Sequence, residues 1–255
     1  MGFQRYVALG DSFTEGVGDI DPTRPNGVRG WADRVAGALA RQNPGFQYAN
    51  LAIRGRKLDP IIAEQVDPAV AMKPDLITIY AGANDIMRPK VDIEALMGRY
   101  DAALGKLAGS GARLLVWTAF DPGGSAIYRP LRGRFALYNE FVRRAAAKHG
   151  ADIVDYWWMR EYRDWAYWDP DRLHMGPIGH QRMAIEVLNV LGVDHDLKPL
   201  PMPERPEPSR AEVRRANAAW TREHFVPWVG RRVTGRSSGD HMNPRWPELT
   251  PVAPD

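Results

Sequence analysis

Short apolar runs alternate with amphipathic stretches along most of the chain, and this alternation limits the fold more than any other feature. The runs that predict strands are Arg5 to Leu9, Phe46 to Leu51, Leu76 to Ala81, Arg113 to Ala119 and Asp152 to Val154. The stretches that predict helices are Gly30 to Gln42, Leu58 to Met72, Ile93 to Ala108, Arg134 to His149 and a segment from Pro177 that ends before Gly192. Such alternation is typical of βαβ units around a parallel sheet. We therefore predict an α/β fold, a three-layer α/β/α sandwich whose central sheet has five parallel strands.

The composition changes after residue 195. The segment "DLKPLPMPERPEPSR" is rich in proline, as extended linkers and arms are, and it precedes a predicted helix from Arg210 to His224. No clear period follows that helix. Aromatic residues predict that this part packs on a surface: Trp220, Phe225, Trp228 and Trp246. We therefore divide the chain into a domain of residues 1–195 and an extension of residues 196–255, which packs on that domain or on a neighbouring subunit.

The charge balance and the missing residue types exclude several functions. The 34 basic and 31 acidic side chains give a net charge of only +3, so we expect no nucleic-acid partner. Cysteine is absent, which excludes disulfides, thiolate metal sites and a cysteine nucleophile. The first residues lack the pattern of a signal peptide, and no run of about 18 apolar residues could span a membrane. We therefore expect a cytoplasmic protein, and its oligomeric state stays open.

Residues suited to serine hydrolysis follow the predicted strands. Ser12 comes after the first strand, Gly55 after the second and Asn84 after the third, while Asp171 and His174 lie between the fifth strand and the last helix. Ligands of open parallel sheets bind at the carboxyl ends of the strands. Serine hydrolysis needs a hydroxyl, an imidazole, a group that orients the imidazole and donors for an oxyanion. Each of these parts is present at a strand end.

Four blocks of sequence carry a resemblance to a known family. They occur in order as "GDSFTEG" with Ser12, the "N…G" block that ends at Gly55, "GAND" with Asn84 and "DRLH" with His174. In these blocks the chain resembles the SGNH hydrolases, also called GDSL esterases and lipases. The resemblance extends from about Val7 to Leu191, so the extension lies outside it. It implies a flavodoxin-like arrangement of the sandwich.

The resemblance also implies a role for each of these residues. Ser12 would be the nucleophile, His174 the general base and Asp171 the acid that orients the ring. The backbone N–H groups of Ser12 and Gly55 and the side-chain amide of Asn84 would form the oxyanion hole. Asp169 lies so close in sequence that a different local turn could exchange it with Asp171. Neither a cofactor nor a metal is implied, because these residues have an explanation without one.

The predicted activity is hydrolysis of a small-molecule carboxylic ester, or of a thioester, through an acyl-enzyme on Ser12. An acyltransferase with the same catalytic residues is the first alternative, and a non-catalytic ligand-binding module is the second. The pattern "GRSSG" at residues 235–239 also fits the nucleophile elbow of α/β-hydrolases, but no buried strand precedes it, so we interpret it as a loop. The nearby Arg231, Arg232 and Arg236 favour a solvated surface over an anion site.

An aromatic stretch precedes the proposed base. It spans residues 155–174 and includes Trp157, Trp158, Trp165 and Trp168. Several of these rings are explained by a long connection anchored on the core. Because the stretch adjoins His174, we also predict that it forms one wall or lid of the acyl pocket and that these four tryptophans line it.

Overall fold

The computed structural model describes residues 2–125, 127–204, 209–234 and 237–252 of the chain. A mixed sheet of six strands forms its centre, in the order β5-β4-β3-β1-β2-β6. The strands are β1 (Arg5–Gly10), β2 (Gln47–Asn50), β3 (Leu76–Tyr80), β4 (Arg113–Trp117), β5 (Asp152–Val154) and β6 (Trp246–Pro251). The first five strands are parallel to one another, and β6 is antiparallel to β2.

Helices cover both faces of the sheet. They are α1 (Ser12–Glu15), α2 (Gly30–Gln42), α3 (Leu58–Ile61), α4 (Asp67–Ala71), α5 (Ala83–Ile86), α6 (Ile93–Ala108), α7 (Arg132–His149), α8 (Pro177–Leu191), α9 (Arg210–Trp220) and α10 (Val226–Val233). A π-helical turn, Ile62–Val66, joins α3 to α4, and another, Thr221–Phe225, joins α9 to α10. None of the described helices is long and apolar enough to cross a membrane.

Strand alternation divides the core into two layers. Val7 and Leu9 face the layer that contains α3, α4, α6 and α7, while Tyr6 and Ala8 face the layer that contains α2 and α8. All four side chains are fully buried. Because a strand in the middle of an α/β sheet is covered on both faces, it is a continuous apolar run, and such runs identified these strands in the sequence.

The structure confirms the three-layer α/β/α sandwich and adds one strand to the predicted five. The sequence analysis missed β6 because its sequence, "WPELTP", contains two prolines and has no apolar alternation. Proline is tolerated in a strand at the edge of a sheet, where one side of the backbone has no partner. The helix predicted from Arg210 to His224 ends as α-helix at Trp220, and α10 follows it after the π-helical turn.

The order of the strands decides where a site can form. The chain places β2 on one side of β1 and β3 on the other side. Connections therefore leave the carboxyl end of the sheet in opposite directions between β1 and β3, which opens a crevice there. Ser12 follows β1 and Asn84 lies just beyond β3, so the two residues meet at this crevice.

A buried ion pair fixes the extension to the rest of the chain. Arg245 precedes β6, and its guanidinium donates to the Asp33 carboxylate on α2 at 2.6 and 3.1 Å. The Arg245 side chain is 0% exposed and that of Asp33 is 4% exposed. Arg245 also donates to the backbone carbonyl groups of Glu15 (2.9 Å), Arg29 (2.9 Å) and Pro25 (3.0 Å). These contacts satisfy the buried charge, so β6 and α2 form one packed unit. The boundary between residues 195 and 196 stays a prediction.

Loss of Arg245 should destabilise the whole fold. In Arg245→Met the Asp33 carboxylate stays buried without its partner, so we expect the free energy of unfolding to fall by about 3 to 5 kcal/mol. Urea unfolding followed by circular dichroism measures this change. Arg99→Met is the matched control, because Arg99 forms an exposed ion pair with Asp59 (2.7 Å) and its loss should change stability by less than about 1 kcal/mol. Similar losses in both variants would contradict the prediction.

Candidate active site

The candidate site begins where β1 ends at Gly10. This residue has a φ of 145°, and a Cβ atom there would lie 2.7 Å from the carbonyl oxygen of Tyr80 on β3. The Gln65 side-chain amide accepts from the Gly10 N–H (2.8 Å) and donates to the Gly10 carbonyl (2.9 Å). Only glycine fits this close approach of two strands, and Gln65 satisfies the backbone groups that the sheet leaves unpaired. Asp11 follows Gly10, and the first helix begins at the next residue, Ser12.

Ser12 is the first residue of α1. Asp11 caps this short helix, because its Oδ1 accepts from the Phe13 N–H at 3.1 Å. The Ser12 N–H, at the free end of the helix, donates to no residue that the structure describes. The serine therefore presents both a hydroxyl and an unpaired backbone donor to the crevice.

His174 and Asp171 form a close pair at the same crevice. His174 Nδ1 lies 2.5 Å from Asp171 Oδ2, and Asp171 Oδ1 accepts from the backbone N–H groups of Leu173 (2.9 Å) and His174 (2.9 Å). Burial raises the pKa of Asp171, but the hydrogen bond and charge of His174 and these backbone donors outweigh it, so the pKa lies below the ordinary value. The carboxylate therefore accepts, and the imidazole carries its proton on Nδ1.

That tautomer leaves His174 Nε2 as the basic nitrogen. His174 and Ser12 line the same cleft, although within the described residues no hydrogen bond joins the Ser12 hydroxyl to the ring. Without substrate, the distance between a catalytic base and its nucleophile is often longer than a hydrogen bond. The separation of Ser12 and His174 therefore agrees with these two roles. Asp169 lies elsewhere in the loop: its Oδ1 accepts from the Asp171 N–H at 3.0 Å. Of the two candidate acids, Asp171 contacts the ring and Asp169 shapes the turn.

Gly55 adjoins the crevice from the loop after β2. Its φ is 74°, and its N–H donates to no described residue. The preceding residue, Arg54, is held by the fully buried Glu15 carboxylate, which accepts from the Arg54 backbone N–H at 2.6 Å and from its guanidinium at 2.6 to 3.0 Å. Because Glu15 is the last residue of α1, this ion pair fixes the Gly55 loop relative to Ser12.

Asn84 lies in α5, after β3, and its amide has two partners within the chain. Asn84 Nδ2 donates to Asp11 Oδ2 (2.8 Å) and to the carbonyl of Arg56 (3.1 Å). These bonds fix the orientation of the amide at the crevice. To stabilise an oxyanion, one of the two amide hydrogens would have to be shared with the substrate. Ser12, Gly55 and Asn84 are thus grouped as the sequence analysis predicted, and their role as oxyanion donors stays a prediction.

Asp11 is a titratable group that the sequence analysis passed over. Its side chain is 3% exposed. Burial raises the pKa of Asp11 to about 7, and the hydrogen bonds from Phe13 and Asn84 and the nearby His174 limit the rise. The motif "GDS" could have indicated the raised pKa of Asp11, since a carboxylate between a buried strand and a nucleophile has little access to water.

Replacement of Asp11 should make stability less dependent on pH. The pKa of Asp11 in the folded chain lies above its ordinary value of 3.8, so folding favours the protonated acid, and this contribution is lost as the pH rises through about 7. Relative to wild type, Asp11→Asn should gain stability between pH 4 and pH 8, by up to about 4 kcal/mol. Urea unfolding across this range measures the difference. Asp194→Asn, which removes an exposed carboxyl, is the control. A difference from wild type that is constant with pH would contradict the prediction.

One side of the crevice is apolar. Ser12 and His174 line it together with several aromatic side chains, namely Phe13, Tyr80, Phe120, Phe135, Tyr156 and Trp168. Tyr80 ends β3 and Phe120 follows β4, so these rings come from strand ends as the catalytic candidates do. The sequence analysis missed Tyr80 and Phe120 because an aromatic residue at the end of a buried strand is hard to distinguish from the core.

The four predicted pocket tryptophans lie in different places. Trp168 lines the apolar cleft beside Ser12, and Trp165 lines an adjoining pocket with Trp168. Trp157 packs partly buried against the core, and Trp158 is 58% exposed with the Arg160 guanidinium 4.5 Å from its ring centroid. Neither Trp157 nor Trp158 lines the two described clefts that contain Ser12. Of the four tryptophans Trp168 alone lines the apolar one of these two clefts, and Tyr156 of the same stretch lines it as well.

Truncation of Trp168 should change the preference for acyl-chain length. Trp168→Ala enlarges the cleft, so we expect the optimum on a series of p-nitrophenyl esters from acetate to palmitate to move to longer chains. Trp158→Ala, which removes an exposed ring of the same type, is the matched control and should leave the profile unchanged. The same profile in wild type and Trp168→Ala would remove this tryptophan from the pocket.

The extension also contributes to the crevice. Trp220 Nε1 donates to the Asp171 carbonyl at 2.9 Å, and the Trp220 side chain is 7% exposed. Trp228 and Ser237 line the cleft that contains Ser12, Gly55 and His174. The aromatic residues of the extension had indicated packing on a surface, and that surface includes the loop of the candidate base.

The last three residues of the pattern "GRSSG", residues 237–239, adjoin the crevice. Residues 235 and 236 and the side chains of Arg231 and Arg232, for which a solvated surface was predicted, lie outside the described part of the chain. Ser237 is followed by a turn and not by a helix, and its Oγ donates to the Arg54 carbonyl at 3.3 Å. A Cβ atom on Gly55 would lie 2.0 Å from Ser237 Oγ. This segment packs directly on the Gly55 loop.

Comparison with known proteins identifies a family. The model of the GDSL-like Lipase/Acylhydrolase family matches residues 8–182. That range contains the four blocks of the candidate site and ends within α8, so the extension lies beyond it. A search of curated proteins found no match.

Several solved structures share the fold. LAE5, an α/β hydrolase enzyme from the metagenome of Lake Arreo, Spain, is 21% identical, with a TM-score of 0.62 over 74% of this chain and 95% of its own. Axe2, an acetylxylan esterase from Geobacillus stearothermophilus, is 23% identical, with a TM-score of 0.59 over 75% and 95%. EstA, a psychrotrophic esterase from Pseudoalteromonas sp., is 13% identical, with a TM-score of 0.57 over 74% and 97%. At these identities the likeness establishes the fold.

Proposed function

The chain belongs to the GDSL-like lipase/acylhydrolase family, and we propose that it hydrolyses a carboxylic ester through an acyl-enzyme on Ser12. The observation that carries this proposal is that His174, whose Nδ1 lies 2.5 Å from Asp171 Oδ2, lines the cleft that contains Ser12. The pair supplies a base whose Nε2 is available, next to a hydroxyl at the start of a helix. This arrangement supports nucleophilic catalysis by Ser12.

In the first half of the reaction Ser12 Oγ attacks the carbonyl carbon while His174 Nε2 takes the hydroxyl proton. The Ser12 and Gly55 N–H groups, which have no acceptor among the described residues, and the Asn84 amide stabilise the negative oxygen. The C–O bond to the alcohol then breaks, and the alcohol leaves with the proton from His174. Asp171 stabilises the imidazolium that exists between these steps.

In the second half water replaces the alcohol. His174 takes a proton from water, the resulting oxygen attacks the acyl carbon, and Ser12 leaves with the proton returned by the imidazolium. The acid product is released and the enzyme regains its initial state. The apolar cleft with Trp168 supports binding of the acyl group there, because its aromatic side chains exclude water from a small or aromatic acyl chain.

Hydrolysis of p-nitrophenyl acetate tests this mechanism. Ser12→Ala should abolish the activity of wild type, and Asn84→Ala should lower kcat by about a hundredfold to a thousandfold, because one oxyanion donor is lost. Asn189→Ala, which changes an exposed asparagine on α8, is the matched control and should retain full activity. Circular dichroism shows whether each variant is folded.

Two outcomes would reject parts of the proposal. Equal rates in wild type and folded Ser12→Ala would move the chemistry away from Ser12. A kcat for Asn84→Ala within tenfold of wild type would remove Asn84 from the oxyanion hole. Labelling by an organophosphonate probe, which reacts with an activated serine, should occur in wild type and be lost in Ser12→Ala, and the absence of labelling in both would favour a non-catalytic binding module.

A further inference from the structure

A second cleft also contains Ser12, and three of its lining residues are basic. It shares Ser12, Asn84 and His174 with the aromatic cleft, and Gly55 lines it as well. Its basic residues are Arg56, Lys57 and Arg88, and we call this cleft the cationic groove. None of these three basic residues lines the aromatic cleft, so the two clefts share the proposed nucleophile and differ in chemistry.

Among the described residues, two of the three basic side chains of the groove form no ion pair. Arg56 pairs with Glu64 at 3.0 Å. Lys57 and Arg88 form no ion pair with any described residue, and Arg88 Nε is buried without a hydrogen-bond acceptor among them. One acid, Asp240, also lines the groove and accepts from the Ser237 N–H at 2.9 Å. The described lining therefore has a net positive charge.

A structural role with Asp85 is the simplest alternative use of these charges. Asp85 is 8% exposed, and its Oδ2 accepts from the Leu58 N–H at 2.9 Å. Burial raises the pKa of Asp85, and Lys57 and Arg88 reduce this rise without reversing it. In the described part of the chain neither Lys57 nor Arg88 forms an ion pair with Asp85, whose Oδ2 is taken by the Leu58 N–H. Their charge is thus available to a ligand in the groove.

We propose that the cationic groove binds an anionic group, a carboxylate or a phosphate, on the alcohol side of the ester. This proposal rests on the proposed hydrolysis at Ser12. The acyl group of the substrate suits the aromatic cleft, which offers no charged partner for an anion apart from the catalytic His174. The alcohol portion then extends past Gly55 and Asn84 into the groove, where the Arg88 guanidinium and the Lys57 ammonium can donate to its oxygens.

Matched substrates separate the charge of the alcohol from its reactivity. The anionic substrate is 4-acetoxybenzoate and the neutral one is 4-acetoxybenzamide. In the double variant Lys57→Gln/Arg88→Gln we expect kcat/KM for the anionic ester to fall by roughly tenfold, mainly through KM, and that for the neutral ester to change by less than about twofold. Each substrate is compared across variants, so the intrinsic reactivity of the esters cancels.

The control variant is Lys198→Gln/Arg144→Gln, which removes one lysine and one arginine at exposed positions outside both clefts. It should leave kcat/KM for both esters unchanged. In wild type the preference for the anionic ester should also decrease as salt is added, because salt screens exposed charges. An equal loss for both esters in the groove variant, or no loss for either, would overturn the proposal.

Binding of the products tests the groove without hydrolysis. Calorimetric titration should show 4-hydroxybenzoate and 4-hydroxyphenyl phosphate binding more tightly than 4-hydroxybenzamide, and the groove variant should lose this difference. The tighter of the two anions identifies the charged group that the groove prefers. If the anions bind in this way but folded wild type hydrolyses neither ester, the proposed hydrolysis is wrong and anion binding by the groove is supported. If neither anion binds more tightly than the amide, the proposal of an anion site is wrong, whatever the rates of hydrolysis are.

Discussion

The ion pair between Glu15 and Arg54 holds the two halves of the candidate site together. Glu15 ends the helix that begins with the proposed nucleophile, and its carboxylate accepts from both the backbone and the guanidinium of Arg54. The next residue is Gly55, which lines the crevice and whose N–H has no acceptor among the described residues. Because the Glu15 side chain is fully buried, this contact is protected from water and from salt. The carboxylate thus contributes to the position of the Gly55 N–H relative to Ser12.

The extension is attached to the same structure. Arg245 donates to the Glu15 carbonyl and pairs with Asp33, Trp220 donates to the Asp171 carbonyl, and Ser237 packs against Gly55. Segments beyond the part that matches the family therefore contact the loops of the base and of the oxyanion donor. The extension therefore forms part of the wall of the crevice, through Trp228 and Ser237.

The crevice has two chemically different sides that meet at Ser12. The aromatic side has rings from strand ends and from the loop before His174, while the other side has Arg56, Lys57 and Arg88. An ester with an apolar acyl group and an anionic alcohol would match both sides at once. Charge on a protein mainly sets the orientation and the selection of a ligand. Two sides of different chemistry would therefore give the enzyme a preference between esters that are equally reactive toward Ser12.

The sequence by itself determined the sandwich and the five parallel strands, because buried strands and amphipathic helices leave different apolar periods. It also determined which residues could meet at Ser12, since parallel strands bring their carboxyl ends to one edge. Only the tertiary structure decided that the carboxylate of Asp171 and not that of Asp169 contacts the His174 ring, because both acids lie within one turn of chain. It alone revealed β6 and the buried Arg245, the raised pKa of Asp11, and the separation of Trp168 from Trp158. Each of these depends on contacts or burial between residues far apart in sequence, which no local pattern records.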